Sequence, residues 1–165
     1  MFDNLNETRN RLVNEITLLS DVQINSKPES NKWSIAQVCH HLVLVEEASI
    51  KAIAWGLKNN DNSQLEPISI ELILDRTQKI NAPKMVEPIE QSFEIQQIID
   101  LLDDSRKKLI TFLSTIEDVS ILSEKSVKHP AFGYLPLNQW IELIYLHEQR
   151  HIEQIKEIKL LCAMN

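Results

Sequence analysis

Residues 137–158 read LNQWIELIYLHEQRHIEQIKEI and carry His147 and His151 four positions apart. On an α-helix four residues turn the chain by about 400° and advance it by about 6 Å, so both imidazoles leave the same face. That face is otherwise apolar, with hydrophobic residues at steps of three and four. Its other members are Leu137, Trp140, Ile141, Ile144, Ile155 and Ile158. The pattern predicts a long amphipathic helix with both histidines on its buried side.

A buried neutral imidazole needs a partner for each of its two ring nitrogens. A metal ion on one nitrogen and a hydrogen-bond acceptor on the other would satisfy this need. Two hydrogen-bonded core histidines would satisfy it as well, and this helix alone does not decide between the two interpretations.

The composition indicates an all-α chain with a single core. The length of 165 residues suits one domain, here residues 1–165. The chain contains only two glycines and is 43% hydrophobic. A β-rich fold of this size needs more glycine at its turns, so we expect long helices with few tight corners.

Charge and hydropathy exclude two classes of partner. The net charge of −7 argues against nucleic-acid binding, which depends on clustered Lys and Arg. The sequence contains no apolar run of about 20 residues and no apolar N-terminal signal segment. We therefore expect a cytoplasmic protein that does not bind membranes.

A second helix is predicted from Ser34 to about Leu57. Ser34 and Gln37 have the spacing of a capping box, which fixes the start of the helix and the register that follows. The predicted inward stripe is Ile35, Val38, His41/Leu42, Val45, Ala48, Ala52 and Trp55. His41 falls on this stripe, whereas His40 is predicted at the boundary or the surface. Cys39 is predicted to be a small packed thiol, and the alternative is a role in metal binding or redox chemistry.

Two further helices complete a predicted four-helix bundle. The first helix covers residues 3–20, and the third runs from a cap at Ser92 to about Glu117. The third helix carries a run of charges, which we interpret as its solvated side. That run is Asp103, Asp104, Arg106, Lys107 and Lys108. The link at residues 58–91, with a short helix predicted at 69–79, is long enough for the third helix to run parallel to the second.

Three metal sites can be considered around His147 and His151. With Glu148 the pair matches the His-Glu-x-x-His motif of zinc proteases, in which the glutamate is the general base. No third histidine follows and no strands are predicted, and both observations argue against this interpretation. Glu148 and His151 also match the Glu-x-x-His element of di-iron bundles, but only one copy is present.

The remaining interpretation joins His41 to His147 and His151. Three neutral nitrogens would hold one ion and leave coordination positions open, as catalytic sites do. Nitrogen ligands suit Zn²⁺, Ni²⁺ or Fe²⁺, and the sequence does not choose among them. His129, in the segment 118–136, is predicted to be a loop residue outside this site.

Two blocks of sequence resemble the DinB/YfiT-like superfamily of metalloenzymes. The first block comprises Trp33, Ser34, Gln37, Val38, His41 and Leu42, with Glu46 or Glu47 a turn further on. The second comprises His129, Pro130, Phe132, Gly133, Leu135, Trp140, His147, Arg150, His151 and Gln154. The resemblance implies a bundle of up-down-down-up topology, often dimeric, with a divalent metal ion on His41, His147 and His151.

Three functional hypotheses follow for this site, and the resemblance implies the first of them. In the first, the protein transfers a low-molecular-weight thiol, such as bacillithiol, mycothiol or glutathione, to a small electrophile. In the second, it is a hydrolase that activates water with the same triad, with Glu148 as the base. In the third, it is a catalytically silent metal-binding or structural bundle that forms a homodimer.

Overall fold

Four long helices make up most of the chain in this computed structural model, which describes residues 2–59, 68–77 and 81–163. In chain order the helices are α1 (Phe2–Ile16), α2 (Asp21–Asn25), α3 (Ile35–Lys58), α4 (Ile95–Ser114), α5 (Ile121–Glu124) and α6 (Leu137–Ala163). Short 3₁₀ helices at Ile70–Leu74 and Lys84–Val86 lie between α3 and α4. No helix in the described ranges is both long and apolar enough to cross a bilayer.

Local capping decides where α3 begins. The Ser34 hydroxyl accepts the Gln37 N–H at 3.2 Å, and the Gln37 side-chain oxygen accepts the Ser34 N–H at 3.1 Å. This reciprocal pair satisfies two donors that a helix N-terminus leaves unpaired. The predicted capping box is therefore present, and the register of the first turns of α3 follows from it.

The other helix ends differ from the prediction. The cap of α4 is Glu94, whose N–H donates to the Gln97 side chain at 3.0 Å, and not Ser92. The first helix ends at Ile16 because Ser20 begins α2 with a capping box of its own. The predicted loop after residue 20 thus contains a short helix.

Contacts between the long helices establish their directions. Arg9 of α1 donates to the Leu102 carbonyl of α4, and Arg106 of α4 donates to the Leu5 carbonyl of α1, so these two helices are antiparallel.

Other pairs fix α3 and α6. His40 lies beside Phe93, before α4, and Glu47 pairs with Lys108, so α3 and α4 are parallel. Arg9 pairs with Glu148 and Glu15 with Lys159, so α1 and α6 are parallel as well. The bundle therefore has the up-down-down-up arrangement, with the long link between α3 and α4 as the crossover. Residues 60–67 and 78–80 of that link lie outside the described residues. Within the described part of the helix predicted at 69–79, the structure has the 3₁₀ helix Ile70–Leu74.

A β-hairpin precedes α6, so the expectation that the chain contains no strands is wrong, while the all-α four-helix bundle is confirmed. Its strands, β1 (Ser126–His129) and β2 (Gly133–Pro136), are antiparallel. Gly133 adopts φ 74° at the turn, which favours glycine. The Trp140 indole donates to the Val127 carbonyl at 3.0 Å and so ties the hairpin to α6.

The buried face of α3 departs from the predicted stripe beyond Leu42. Beyond Val43 the buried positions are Glu46, Ser49, Ile53 and Gly56, whereas Trp55 is 54% exposed. The close packing at Gly56 suits glycine, because an added Cβ would stand 2.5 Å from a Val127 methyl group. The true stripe is therefore rotated by one residue and carries a charged side chain into the core.

The core consists of two apolar clusters separated by a polar layer. One cluster contains Leu5, Ile53, Leu109 and the first turns of α6, and the other contains Leu12, Val43, Leu102 and the last turns of α6. Between them lie Arg9, Glu46, Ser105, Arg106 and Glu148, all at most 6% exposed. Each of the four long helices contributes at least one of these residues.

Candidate metal centre

The three histidines predicted from the sequence lie together inside the bundle. His41 comes from α3, and His147 and His151 come from successive turns of α6. One ligand atom from each residue can be chosen so that all three lie within 4.8 Å of one another. The ring centroids are 5.3 Å apart for His41 and His147, 5.1 Å for His41 and His151, and 4.4 Å for His147 and His151. This is the only such group of metal-ligating side chains among the described residues.

Hydrogen bonds fix the tautomer of two of these imidazoles. His41 donates from Nδ1 to the Val86 carbonyl at 2.7 Å, and His151 donates from Nδ1 to the Gln154 side-chain oxygen at 2.7 Å. Each Nε2 therefore keeps its lone pair. The Nε2 atoms of His147 and His151 are 3.0 Å apart. An acceptor on the far nitrogen is the usual support of a metal-binding histidine.

Burial keeps the triad uncharged. It lowers the pKa of His41, lowers the pKa of His151 to about 3, and holds the pKa of His147 well below its ordinary value. Repulsion among the three imidazoles adds to this effect on His147 and His151. Neutral imidazole is the form that binds metal ions, and three nitrogen donors suit Zn²⁺, Ni²⁺ or Fe²⁺. The donor set therefore fits a divalent transition-metal ion.

Glu148 is held in a closed set of ion pairs. Its two oxygens accept from Arg9 Nε at 2.7 Å and from a terminal nitrogen of Arg106 at 3.0 Å. Glu46 accepts from the same two arginines, at 3.0 Å from Arg9 and 2.6 Å from Arg106. We call Arg9, Glu46, Arg106 and Glu148 the ion-pair ring. Because both Glu148 oxygens are engaged by guanidinium groups, the geometry argues against Glu148 as a general base.

The ring also corrects the interpretation of the third predicted helix. Arg106 was expected on the solvated side of α4, yet it is 6% exposed and donates to Glu46, Glu148 and the Leu5 carbonyl. The sequence did not identify Arg9 or Arg106 as functional residues, and Glu46 entered only as an alternative to Glu47 in the first block of the resemblance. A sequence signal for their burial exists, because each of these residues stands three or four positions from apolar members of a buried helical stripe. The two arginines and the two glutamates also balance one another in charge.

The remaining candidate residues lie outside the triad. His40 is half-buried, and its Nδ1 accepts the Ile89 N–H at 3.3 Å. Cys39 is fully buried, as predicted for a packed thiol, and burial raises its pKa to about 12. His129 ends β1 instead of lying in a loop, and its ring contacts Trp140 with centroids 4.7 Å apart.

Sequence comparison relates the chain to one family over most of its length. A model of the DinB superfamily matches residues 4–155. The uncharacterized protein YuaE of Bacillus subtilis (strain 168) is 33% identical over 154 residues, which cover 93% of this chain and 94% of YuaE.

Structural comparison agrees at the level of the fold. YfiT from Bacillus subtilis, described as a probable metal-dependent hydrolase with an unusual four-helix bundle topology, matches with a TM-score of 0.66. The two share 18% identity, and the match covers 98% of this chain and 85% of YfiT. TT2238, a four-helix bundle protein, matches with a TM-score of 0.64 and 15% identity over 94% of this chain and 95% of that one. On the sequence match over residues 4–155 and the relationship to YuaE, the chain belongs to the DinB superfamily.

Proposed function

We propose that this protein is an enzyme that binds one divalent metal ion through His41, His147 and His151 and transfers a low-molecular-weight thiol to a small electrophile. The observation that carries the proposal is the meeting of three neutral imidazoles from two helices within 4.8 Å. When bound, a Zn²⁺, Ni²⁺ or Fe²⁺ ion supplies Lewis acidity that lowers the pKa of a coordinated thiol or water.

The chain contributes the orientation of the ligands. Val86 and Gln154 accept the Nδ1 protons of His41 and His151, so the Nε2 lone pairs are available without a change of tautomer. Ligands held in place in this way lose little conformational freedom when the ion binds. Two of the three proposed ligands, His41 and His151, would therefore be oriented before the ion arrives.

The engagement of Glu148 favours thiol chemistry over base-assisted hydrolysis. Both of its oxygens accept from Arg9 and Arg106, so this carboxylate is not free to take a proton from water. A metal ion held by His41, His147 and His151 would ionise a coordinated thiol, so thiol transfer would need no separate base. In the transfer, the thiol sulfur bonds to the electrophilic carbon, the leaving group departs with its electron pair, and the thiol proton passes to solvent.

Hydrolysis is the second candidate, because the structural neighbour YfiT is described as a probable metal-dependent hydrolase. The same three imidazoles would then serve a water nucleophile, with the proton released to solvent instead of to Glu148. The electrophile would be a small ester, amide or related compound.

Two measurements test the proposal. Metal analysis of protein purified without an affinity tag should find about one ion per chain in the wild type and almost none in His147→Ala. Equal metal content in the two proteins would refute the triad and leave a structural role for its histidines. The metal-loaded protein should then be incubated with an electrophile such as 1-chloro-2,4-dinitrobenzene, with and without a thiol. Turnover of this electrophile that needs the thiol supports transfer, whereas turnover of a small ester, assayed in parallel without thiol, supports hydrolysis.

A further inference from the structure

The ion-pair ring crosses the middle of the bundle and joins all four long helices. Each arginine bridges both glutamates, and the four charged contacts measure 2.6 to 3.0 Å. The ring residues are at most 6% exposed, and Ser105 donates a further bond to Glu46 at 2.5 Å. Among the described residues no buried side-chain polar atom lacks a hydrogen-bond partner. The ring is thus a complete polar network inside an apolar core.

The ring lies next to the metal ligands along both helices that supply them. Glu148 directly follows His147 and stands one turn before His151 on α6. Glu46 follows His41 by five residues on α3, a distance of about 7.5 Å along the helix axis. The two glutamates share the same two guanidinium groups. A shift of α3 against α6 would therefore break ring bonds and separate His41 from the other two ligands at the same time.

Stability alone is a weak reason for such a ring. Burying four charges carries a large desolvation cost, and apolar replacements of buried ion pairs are often equally stable. Apolar clusters on both sides of the layer already hold the helices together. Apolar packing tolerates small rotations and repacking of side chains, whereas a closed set of charged hydrogen bonds is satisfied in one arrangement. The ion-pair ring is therefore suited to fix the positions of the long helices relative to one another.

We infer that Arg9, Glu46, Arg106 and Glu148 are positioning residues that set the rotation and height of α3 relative to α6 and thereby bring His41 within reach of His147 and His151. This inference rests on the proposed function, since it concerns the metal affinity of the same triad. It assigns to Glu148, the glutamate of the His-Glu-x-x-His stretch, a role in aligning the ligands and none in proton transfer.

A pair of double variants tests the inference. Glu46→Gln with Arg106→Gln removes one charge of each sign from the ring, so the interior keeps a net charge of zero. Glu47→Gln with Lys108→Gln is the matched control, because it removes an exposed pair, 2.8 Å long, between the same two helices. The Zn²⁺ dissociation constant is measured for both and for the wild type by competition with a chelator, far below each thermal midpoint. Far-UV circular dichroism verifies that each protein is folded.

A positioning role predicts that the ring variant binds Zn²⁺ about 10- to 100-fold more weakly, as when the support of a metal ligand is lost. The control should stay within about twofold of the wild type, because exposed pairs contribute little. The visible spectrum of bound Co²⁺ should change in the ring variant alone. A folded ring variant with wild-type Zn²⁺ affinity and an unchanged Co²⁺ spectrum would overturn the inference, even if its thermal midpoint falls.

A conservative variant covers the case in which the double variant does not fold. Arg106→Lys keeps the charge but lacks the planar fork that reaches both glutamates, so we expect a folded protein with several-fold weaker Zn²⁺ binding. Wild-type affinity in this variant would also overturn the inference. A wild-type protein that binds no Zn²⁺ would refute the proposed function itself. This result differs from equal Zn²⁺ binding by the wild type and the variants, which would refute only the positioning role of the ion-pair ring.

Discussion

Gln154 provides the sharpest test of how the site is held. Its side-chain oxygen accepts the Nδ1 proton of His151 at 2.7 Å, and His151 is only 7% exposed. Gln154→Leu keeps a similar volume but removes the acceptor, so the Nδ1–H loses its partner and the ring loses its orientation. Loss of such a support lowers metal affinity about 10- to 100-fold, which is about 1.4 to 2.8 kcal/mol.

The measurement is a Zn²⁺ titration against a competing chelator, followed at constant pH. Gln154→Glu keeps an acceptor at the same place and should bind Zn²⁺ at least as tightly as the wild type. Gln149→Leu, the same substitution one and a half turns earlier on α6, is the control for effects on the helix. Equal affinity for wild type, Gln154→Leu and Gln149→Leu would refute the assignment of Gln154 as the support of His151.

Three further predictions concern stability. Arg9→Met removes one of the two buried cations that pair with Glu46 and Glu148. It should lower the free energy of unfolding, measured in urea, by about 3–5 kcal/mol. The control Arg11→Met, at an exposed position, should change it by less than about 0.5 kcal/mol. Gly56→Ala gains about 1 kcal/mol of helix propensity, but its Cβ would meet Val127 at 2.5 Å, so we expect a lower thermal midpoint and a net loss of about 1–3 kcal/mol. Burial lowers the pKa of His151 to about 3, so between pH 6.5 and 3 the unfolded chain takes up a proton that the folded metal-free protein does not. Stability should therefore fall as the pH drops through this window, by about 2 kcal/mol at pH 5, and urea titrations of His151→Gln should lack that part of the slope.

Features set by neighbouring residues could be predicted from the sequence. The start of α3 follows from the bonds between Ser34 and Gln37, which need only local geometry. Counting from that start places His41 on the buried face, and the four-residue spacing places His147 and His151 on one face of α6. The candidate triad follows from these two local patterns, once the two helices are packed together.

Features set by distant partners could not be predicted in this way. Arg106 reads as a solvated residue because its partners on α3 and α6 are 60 and 42 positions away. The predicted stripe of α3 departs from the observed one by one residue from Glu46 onward. The prediction did not place Glu46 in the core because a glutamate is usually exposed. The hairpin strands are four residues long, too short for an alternating pattern to stand out. The homodimer, the single-domain extent and the cytoplasmic location stay predictions.

The ion-pair ring has a consequence for how the chain reaches its native state. Arg9 and Glu148 are 139 residues apart, so the first helix cannot complete its contacts until the last helix is in place. Any three of the long helices would enclose an unbalanced charge, which makes a partly assembled bundle costly. We therefore expect cooperative unfolding in which circular dichroism and tryptophan fluorescence report the same transition. A chain still emerging during synthesis would stay loosely packed until its C-terminal helix is released.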